Sequence, residues 1–180
     1  MIFKWNITSI LLFNGNKKCI IYLINTDTAL KCLKIIQWMS LLFKRQIIIN
    51  IIDYTTNKKL RKEILDKFIN NNEINILLNV HVLDEGIDIS VCDSVFITNP
   101  SYNIQNIVQR MSRCNRIYPG KEKSYIYMWT DNEKIKEIMN YINNNTNNEF
   151  YYKIRFCCLT YYLIYDILVY IYNGKLLHIW

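Results

Sequence analysis

The sequence predicts an α/β fold, a parallel sheet with helices on both faces. Three observations carry that expectation. Short β-branched apolar runs alternate with stretches of helical spacing, a pattern that parallel strands and crossover helices produce. The apolar share is 51%, of which aromatics make 14% of the chain, enough to build a core. With 180 residues there is room for one such domain and an appendage, and not for two.

The elements follow in order. Cys19 to Ile24 reads as a buried strand. Asp27 to Phe43 reads as a helix with Leu30, Leu33, Ile35 and Ile36 at its apolar positions. Gln46 to Ile52 is β-branched and therefore a strand. Asn57 caps the next helix, with Leu60, Ile64, Leu65 and Phe68 at helical intervals. Strands Ile74 to Val80 and Ser94 to Thr98 flank a Gly-containing loop. Helix Asn103 to Arg116, strand Ser124 to Trp129 and a helix from Asp131 to about Tyr141 complete the series, with Glu133 in the last helix's first turn. The runs Asn70–Asn72 and Asn143–Asn145 mark loops, and 143–148 a linker. The expected domains are a lead-in over 1–16, the α/β domain over 17–145 and a Tyr-rich extension over 146–180.

Composition narrows the class. The net charge is +7, which suits a polyanionic partner because Lys and Arg neutralise phosphates. The six cysteines (Cys19, Cys32, Cys92, Cys114, Cys157, Cys158) and two histidines (His81, His178) show no metal-ligand spacing. Reduced thiols and an intracellular setting are expected. The apolar patch Ile7 to Phe13 has no cleavage site after it, so no signal peptide is expected. Phe156 to Tyr172 is apolar but carries Asp166 at its middle, and a charge at bilayer depth costs about 2.5–3.5 kcal/mol, so membrane insertion is disfavoured.

Two segments hold the chemistry. In Gln109-Arg110-Met111-Ser112-Arg113-Cys114-Asn115-Arg116, a helix would set Ile104, Ile107, Val108 and Met111 on one stripe. Gln109, Arg113 and Arg116 would then share the opposite face, with Arg110 at its edge. Paired guanidinium groups on a rigid element can stabilise the charge spread over a transferring phosphoryl group. Alone, the same spacing also fits a solvated basic helix face. The second segment, Leu83-Asp84-Glu85-Gly86-Ile87-Asp88-Ile89, follows a strand. Gly86 allows a tight turn there, and Asp88 can accept hydrogen bonds from ribose hydroxyls.

In this order the two segments resemble motifs V and VI of superfamily 2 helicases. Glu85-Gly86-Ile87-Asp88 matches E-G-I-D, and Gln109, Arg113 and Arg116 match Q-x-x-G-R-x-x-R. Lys18 to Leu33, with its turn at Asn25-Thr26-Asp27 followed by Ala29 and Leu30, resembles motif IV. Arg61 and Phe68 resemble the R-x-x-x-x-x-x-F helix that precedes motif V. The wording of 82–89 and Tyr125-Ile126-Tyr127-Met128-Trp129 is most similar to helicases of large DNA viruses.

The resemblance, which covers about residues 17–130, implies a second RecA-like domain. It implies arginine fingers at Arg113 and Arg116, and a nucleotide cleft bordered by Glu85, Gly86, Asp88, Gln109 and Arg110. It also implies a nucleic-acid track at Asn25, Thr26, Thr56, Lys58, Asn79 and Val80. The implied cofactor is ATP with Mg²⁺, held mainly by a first RecA-like domain supplied in trans or by the intact gene. The implied partner is DNA or RNA, single-stranded, read through its backbone.

The chain departs from the pattern at four places. Ser112 and Asn115 replace small residues of motif VI, Val80 replaces a Thr of motif V, and Lys58 stands where Gln is common. None of its four glycines opens a G-x-x-x-x-G-K-[ST] phosphate loop, and no D-E-x-[DH] occurs, so the chain is expected to be inert alone. A different class of function fits the same features: a non-catalytic module that reuses the fold to hold a partner protein.

Overall fold

The structure is a computed structural model that describes residues 17–83, 89–99 and 103–145, and the backbone of 152–159 and 162–170. The chain divides into two compact units, 1–87 and 88–180.

In the first unit the order is β1 (Lys18–Tyr22), α1 (Thr26–Leu42), β2 (Ile47–Ile52), α2 (Lys58–Asn70) and β3 (Ile74–Asn79). β3 pairs in parallel with both β1 and β2, with Ile76 opposite Cys19 on one side and Ile49 on the other. Parallel neighbours need a crossover, and each helix supplies one. β1 is buried throughout, as is all of β3 after Ile74, and so each strand reads as a mainly apolar run, interrupted only by Lys18 in β1 and Asn75 and Asn79 in β3.

The second unit runs β4 (Ser94–Ile97), α3 (Ile104–Ser112), β5 (Lys123–Trp129), α4 (Asn132–Asn145), β6 (Tyr152–Leu159) and β7 (Tyr162–Tyr170). β4 and β5 are parallel, with Phe96 opposite Tyr127 and their rings stacked at 5.7 Å. β7 then pairs antiparallel with β5, Lys123 opposite Tyr170, and β6 pairs antiparallel with β7. The α/β expectation holds, and every expected strand and helix within the described residues is present.

Several details differ from the sequence reading. On α1 the buried face is Ala29, Cys32, Ile36 and Met39, whereas Leu30 is exposed and Leu33 and Ile35 are half-buried. The four buried residues recur at i, i+3, i+7 and i+10 and so form one stripe, which leaves Leu30, Leu33 and Ile35 off its centre. Leu60 of α2 is likewise exposed, leaving Ile64, Leu65 and Phe68 to bury.

The run Asn143–Asn145 is helical, not a loop. α4 continues because its apolar stripe, Ile135, Ile138, Met139 and Ile142, is still buried one turn from the end. Asn145 also returns its side-chain amide to the carbonyl of Tyr141 at 2.9 Å. Of the extension, 152–159 and 162–170 are the strands β6 and β7. Among the described residues no helix is long and apolar enough to cross a membrane.

α3 is the largest departure. It ends at Ser112 instead of Arg116, with Arg113 as its C-cap. Beyond it the chain takes i→i+3 bonds, Arg113 N–H to Arg110 O, Cys114 N–H to Met111 O and Asn115 N–H to Ser112 O, each 3.3 Å. Then Tyr118-Pro119-Gly120-Lys121 makes a turn closed by Lys121 N–H to Tyr118 O at 3.0 Å, with Gly120 at φ +79°. Proline fixes the first corner of this turn and glycine sits easily at the second, so the chain reverses there into β5.

Candidate functional site

The first unit gathers polar groups at the carboxyl ends of β1, β2 and β3. Asn25 caps α1, its side-chain oxygen accepting from Thr28 N–H at 2.8 Å, and Asn57 caps α2 by accepting from Leu60 N–H at 2.9 Å. Between them stands Asp53, buried, at the end of β2. One carboxylate oxygen accepts from the Thr26 hydroxyl at 3.0 Å. The other accepts from Thr55 N–H at 3.0 Å and from the hydroxyls of Thr55 at 2.6 Å and Thr56 at 3.2 Å. The Thr55 hydroxyl bond holds this carboxyl below the ordinary aspartate range; burial opposes it, and the Thr26 and Thr56 bonds add to the lowering.

Asp53 therefore ties the entry of α1 to the turn before α2. It brings Thr26 and Thr56, both expected on the track, into one network. Sequence reasoning missed it, although an aspartate followed two and three residues later by threonines is the signature of an Asx turn. Asn25 and Lys58 are exposed beside this network.

Asn79 and Val80 sit differently. Both are buried, and the Asn79 side-chain oxygen accepts from the backbone N–H groups of Val82 at 3.3 Å and Leu83 at 3.0 Å. Their side chains shape the loop after β3 and are not displayed to solvent. His81, at φ +58°, closes the same loop through Nε2 and the Ile24 carbonyl, 2.8 Å apart. Glu85, Gly86 and Asp88 lie outside the described residues.

In the second unit Asn103 caps α3, accepting from Gln105 and Asn106 N–H at 2.9 and 3.4 Å. The helix buries Ile107 and Met111, while Gln109 is exposed. Arg110 and Arg113 are each only 7% exposed, and Arg116 is half-buried on the turn beyond the helix. The four do not share one helix face: Arg110 and Arg113, three residues apart, go inward together, and Gln109 goes outward. Buried arginines are uncommon because desolvating a guanidinium is costly unless it is held or used.

The arginine turn lies at the amino end of β5. The Cys114 carbonyl, between Arg113 and Arg116, accepts from Lys121 Nζ at 2.9 Å and from the Ser124 hydroxyl. Neither Lys121 nor Ser124 was anticipated, since their partners are too far along the chain for any local pattern to reveal them. Cys114 is fully buried, and that burial pushes its thiol well above the ordinary range, with Cys92 adding and Lys121 opposing. Burial likewise pushes the Cys32 thiol up to about 12. These are core thiols, unsuited to nucleophilic work near neutrality. Among the described residues no group of His, Cys, Asp or Glu could hold a metal ion.

The model of the helicase conserved C-terminal domain matches residues 4–118, well over half of the chain and inclusive of both motif segments. This chain belongs to the helicase conserved C-terminal domain family. No curated protein matches it. Among solved structures, this helicase C-terminal domain is similar to S. cerevisiae Dbp5 L327V bound to Gle1 H337R and IP6. The TM-score is 0.59 at 18% identity over 81% of this chain and 38% of that one. The separate C-terminal domain of the DEAD-box protein Dbp5 gives 0.54 at 18% identity, over 81% of this chain and 82% of that one. The C-terminal part of the Fun30 ATPase domain gives 0.51 at 20% identity, over 76% and 43%. At such identities the likeness establishes the fold, a RecA-like α/β domain as expected. The helicase C-terminal domain described here spans only 38% of the first of those chains.

Proposed function

We propose that residues 17–145 are the second RecA-like half of a superfamily 2 nucleic-acid-dependent ATPase, an enzyme that needs a first RecA-like half to turn over. Arg113 and Arg116 serve as arginine fingers toward the γ-phosphate of ATP with Mg²⁺. Glu85, Gly86, Asp88, Gln109 and Arg110 border the nucleotide. Asn25, Thr26, Thr56 and Lys58 lie along the backbone of single-stranded DNA or RNA, and Asn79 and Val80 act on that track through the loop they hold. The narrower kinship with helicases of large DNA viruses rests on the wording of 82–89 and 125–129 alone.

One observation carries the reading: the family match spans both motif segments, and in the second of them Arg113 is buried at the end of α3 and Arg116 is half-buried on the turn beyond it. A guanidinium already withdrawn from water needs little reorganisation when phosphoryl charge arrives, which is the condition for electrostatic stabilisation of the transition state. The chain's own residues include no phosphate loop, so the β- and γ-phosphates have to be cradled elsewhere.

The test is reconstitution. The chain is mixed with a matched first RecA-like domain, and single-strand-stimulated ATP hydrolysis is followed. Wild type should turn over, the chain alone should not, and Arg113→Ala or Arg116→Ala should lower kcat by about 10³-fold or more. Turnover by both variants at the wild-type rate would sink the finger assignment.

A second reading has its own observation. Trp38, Leu41 and Leu42 are exposed by half or more at the end of α1, an apolar patch of the kind that binds protein. Two of the similar structures are of Dbp5 held by Gle1. A reconstituted complex that captures a protein through this patch and hydrolyses nothing would favour a binding module.

A further inference from the structure

Lys121 of the second unit is tied to three separate points of the backbone. Its Nζ donates to three backbone carbonyls: Ser90 at 2.8 Å, Cys114 at 2.9 Å and Cys92 at 3.1 Å. An ammonium has three hydrogens, so the three bonds use its full donor capacity. The Pro119-Gly120 corner aims it there, because the turn reverses the chain directly before Lys121 and returns the side chain toward the end of α3.

The three carbonyls come from two places that matter. Ser90 and Cys92 belong to the segment that leads from Asp88 into β4. Cys114 lies between Arg113 and Arg116. At that point the i→i+3 bonds are long, 3.3 Å each, and hold the turn weakly. Carbonyls at a helix end have no partner within the helix, and a cation is the group best suited to satisfy them. The Ser124 hydroxyl takes the same Cys114 carbonyl from the start of β5. Two donors on one carbonyl fix the Cys114–Asn115 peptide plane, which lies between the two arginines.

We infer that Lys121 is a positioning residue, a latch that clamps the arginine turn to the segment after Asp88. This rests on the finger reading of Arg113 and Arg116 for its catalytic meaning, though not for its structural content. Lys121 touches no substrate in this role. It acts by holding the Cys114 carbonyl, and thereby the spacing of the two guanidinium groups, while the first unit is left untouched.

The experiment compares the full-length wild-type chain with Lys121→Met, which keeps the aliphatic stem and removes the donors. Backbone amide exchange at Asn115–Ile117 and at Cys92 should quicken at least about tenfold, with β1–β3 unchanged. Unchanged exchange at those amides overturns the latch. Should the variant not fold, acylation of wild-type lysines decides it: Lys121 should react about tenfold slower than exposed Lys58, and equal reactivity overturns the proposal. With a first RecA-like domain supplied, Lys121→Met should lower kcat about tenfold and move KM for ATP less than about twofold. Faster exchange with unaltered turnover overturns the positioning role. If Arg113→Ala and Arg116→Ala themselves leave turnover intact, it is the finger reading that fails, and the exchange result still judges the clamp.

Discussion

Asp53 illustrates how far one side chain can set local structure. It is buried, yet it stays a comfortable anion because four donors from three threonines surround it. The sign of its pH effect follows. Its folded pKa is lowered, so the stability it contributes is present above the ordinary aspartate pKa and is lost as pH falls through the lowered folded value. Asp53→Asn keeps the size but sets an amide N–H against hydroxyls that must turn around, and should cost about 1–3 kcal/mol at neutral pH. The wild-type advantage over the variant should shrink on acidification, as denaturant titrations across pH would measure. An advantage constant down to strongly acid pH would contradict the network. From sequence, the arginines and the Asn57 cap were legible because each has a local signature. Asp53 was half legible and Lys121 not at all, since long-range hydrogen bonds leave no spacing to read.

At the scale of elements, side-chain caps mark where the helices start. Asn25, Asn57 and Asn103 each accept backbone N–H groups at the start of a helix, and Asp131 does so for α4 through Lys134 N–H at 2.8 Å. Asn57→Ala should therefore destabilise the first unit by about 1 kcal/mol, measured by chemical denaturation, with no loss of helix content in the native state. No measurable change would mean that water replaces the cap fully. Helix ends were harder to place. Past Ser112 the chain tightens into i→i+3 bonds and the Cys114 carbonyl is taken by Lys121 and Ser124, partners too distant in sequence for the spacing of 103–116 to show. On α1, periodicity gave the helix but not which of its apolar residues face inward, because apolar residues occur around more than one face and packing chooses the stripe of Ala29, Cys32, Ile36 and Met39.

For the molecule as a whole, the family likeness ends at residue 118, yet ordered pairing continues beyond it. β5 is bonded on one side by β4 and on the other by β7, along all seven of its residues on the β7 side. Deleting everything after Asn148 would strip that second side and leave a row of backbone donors and acceptors on an apolar strand. Such an edge recruits other chains. The truncated protein should sediment as oligomers or precipitate under conditions where the full chain is monodisperse; if it stays monomeric with an unchanged melting temperature, the β7 pairing contributes nothing. The alternating α/β pattern made the parallel part of this architecture legible. The hairpin was not, because a Tyr-rich apolar stretch of that length suits a strand, a helix or a membrane segment equally in letters alone.

The reversed direction of β7 has a practical side. Running opposite to β5, it delivers Tyr170 beside Lys123, on the rim where the arginine turn sits, and not beside Trp129. A small fluorophore introduced in place of Tyr170 would therefore lie at the Lys123 end of β5, and its emission would report on a first domain that approaches the arginine turn.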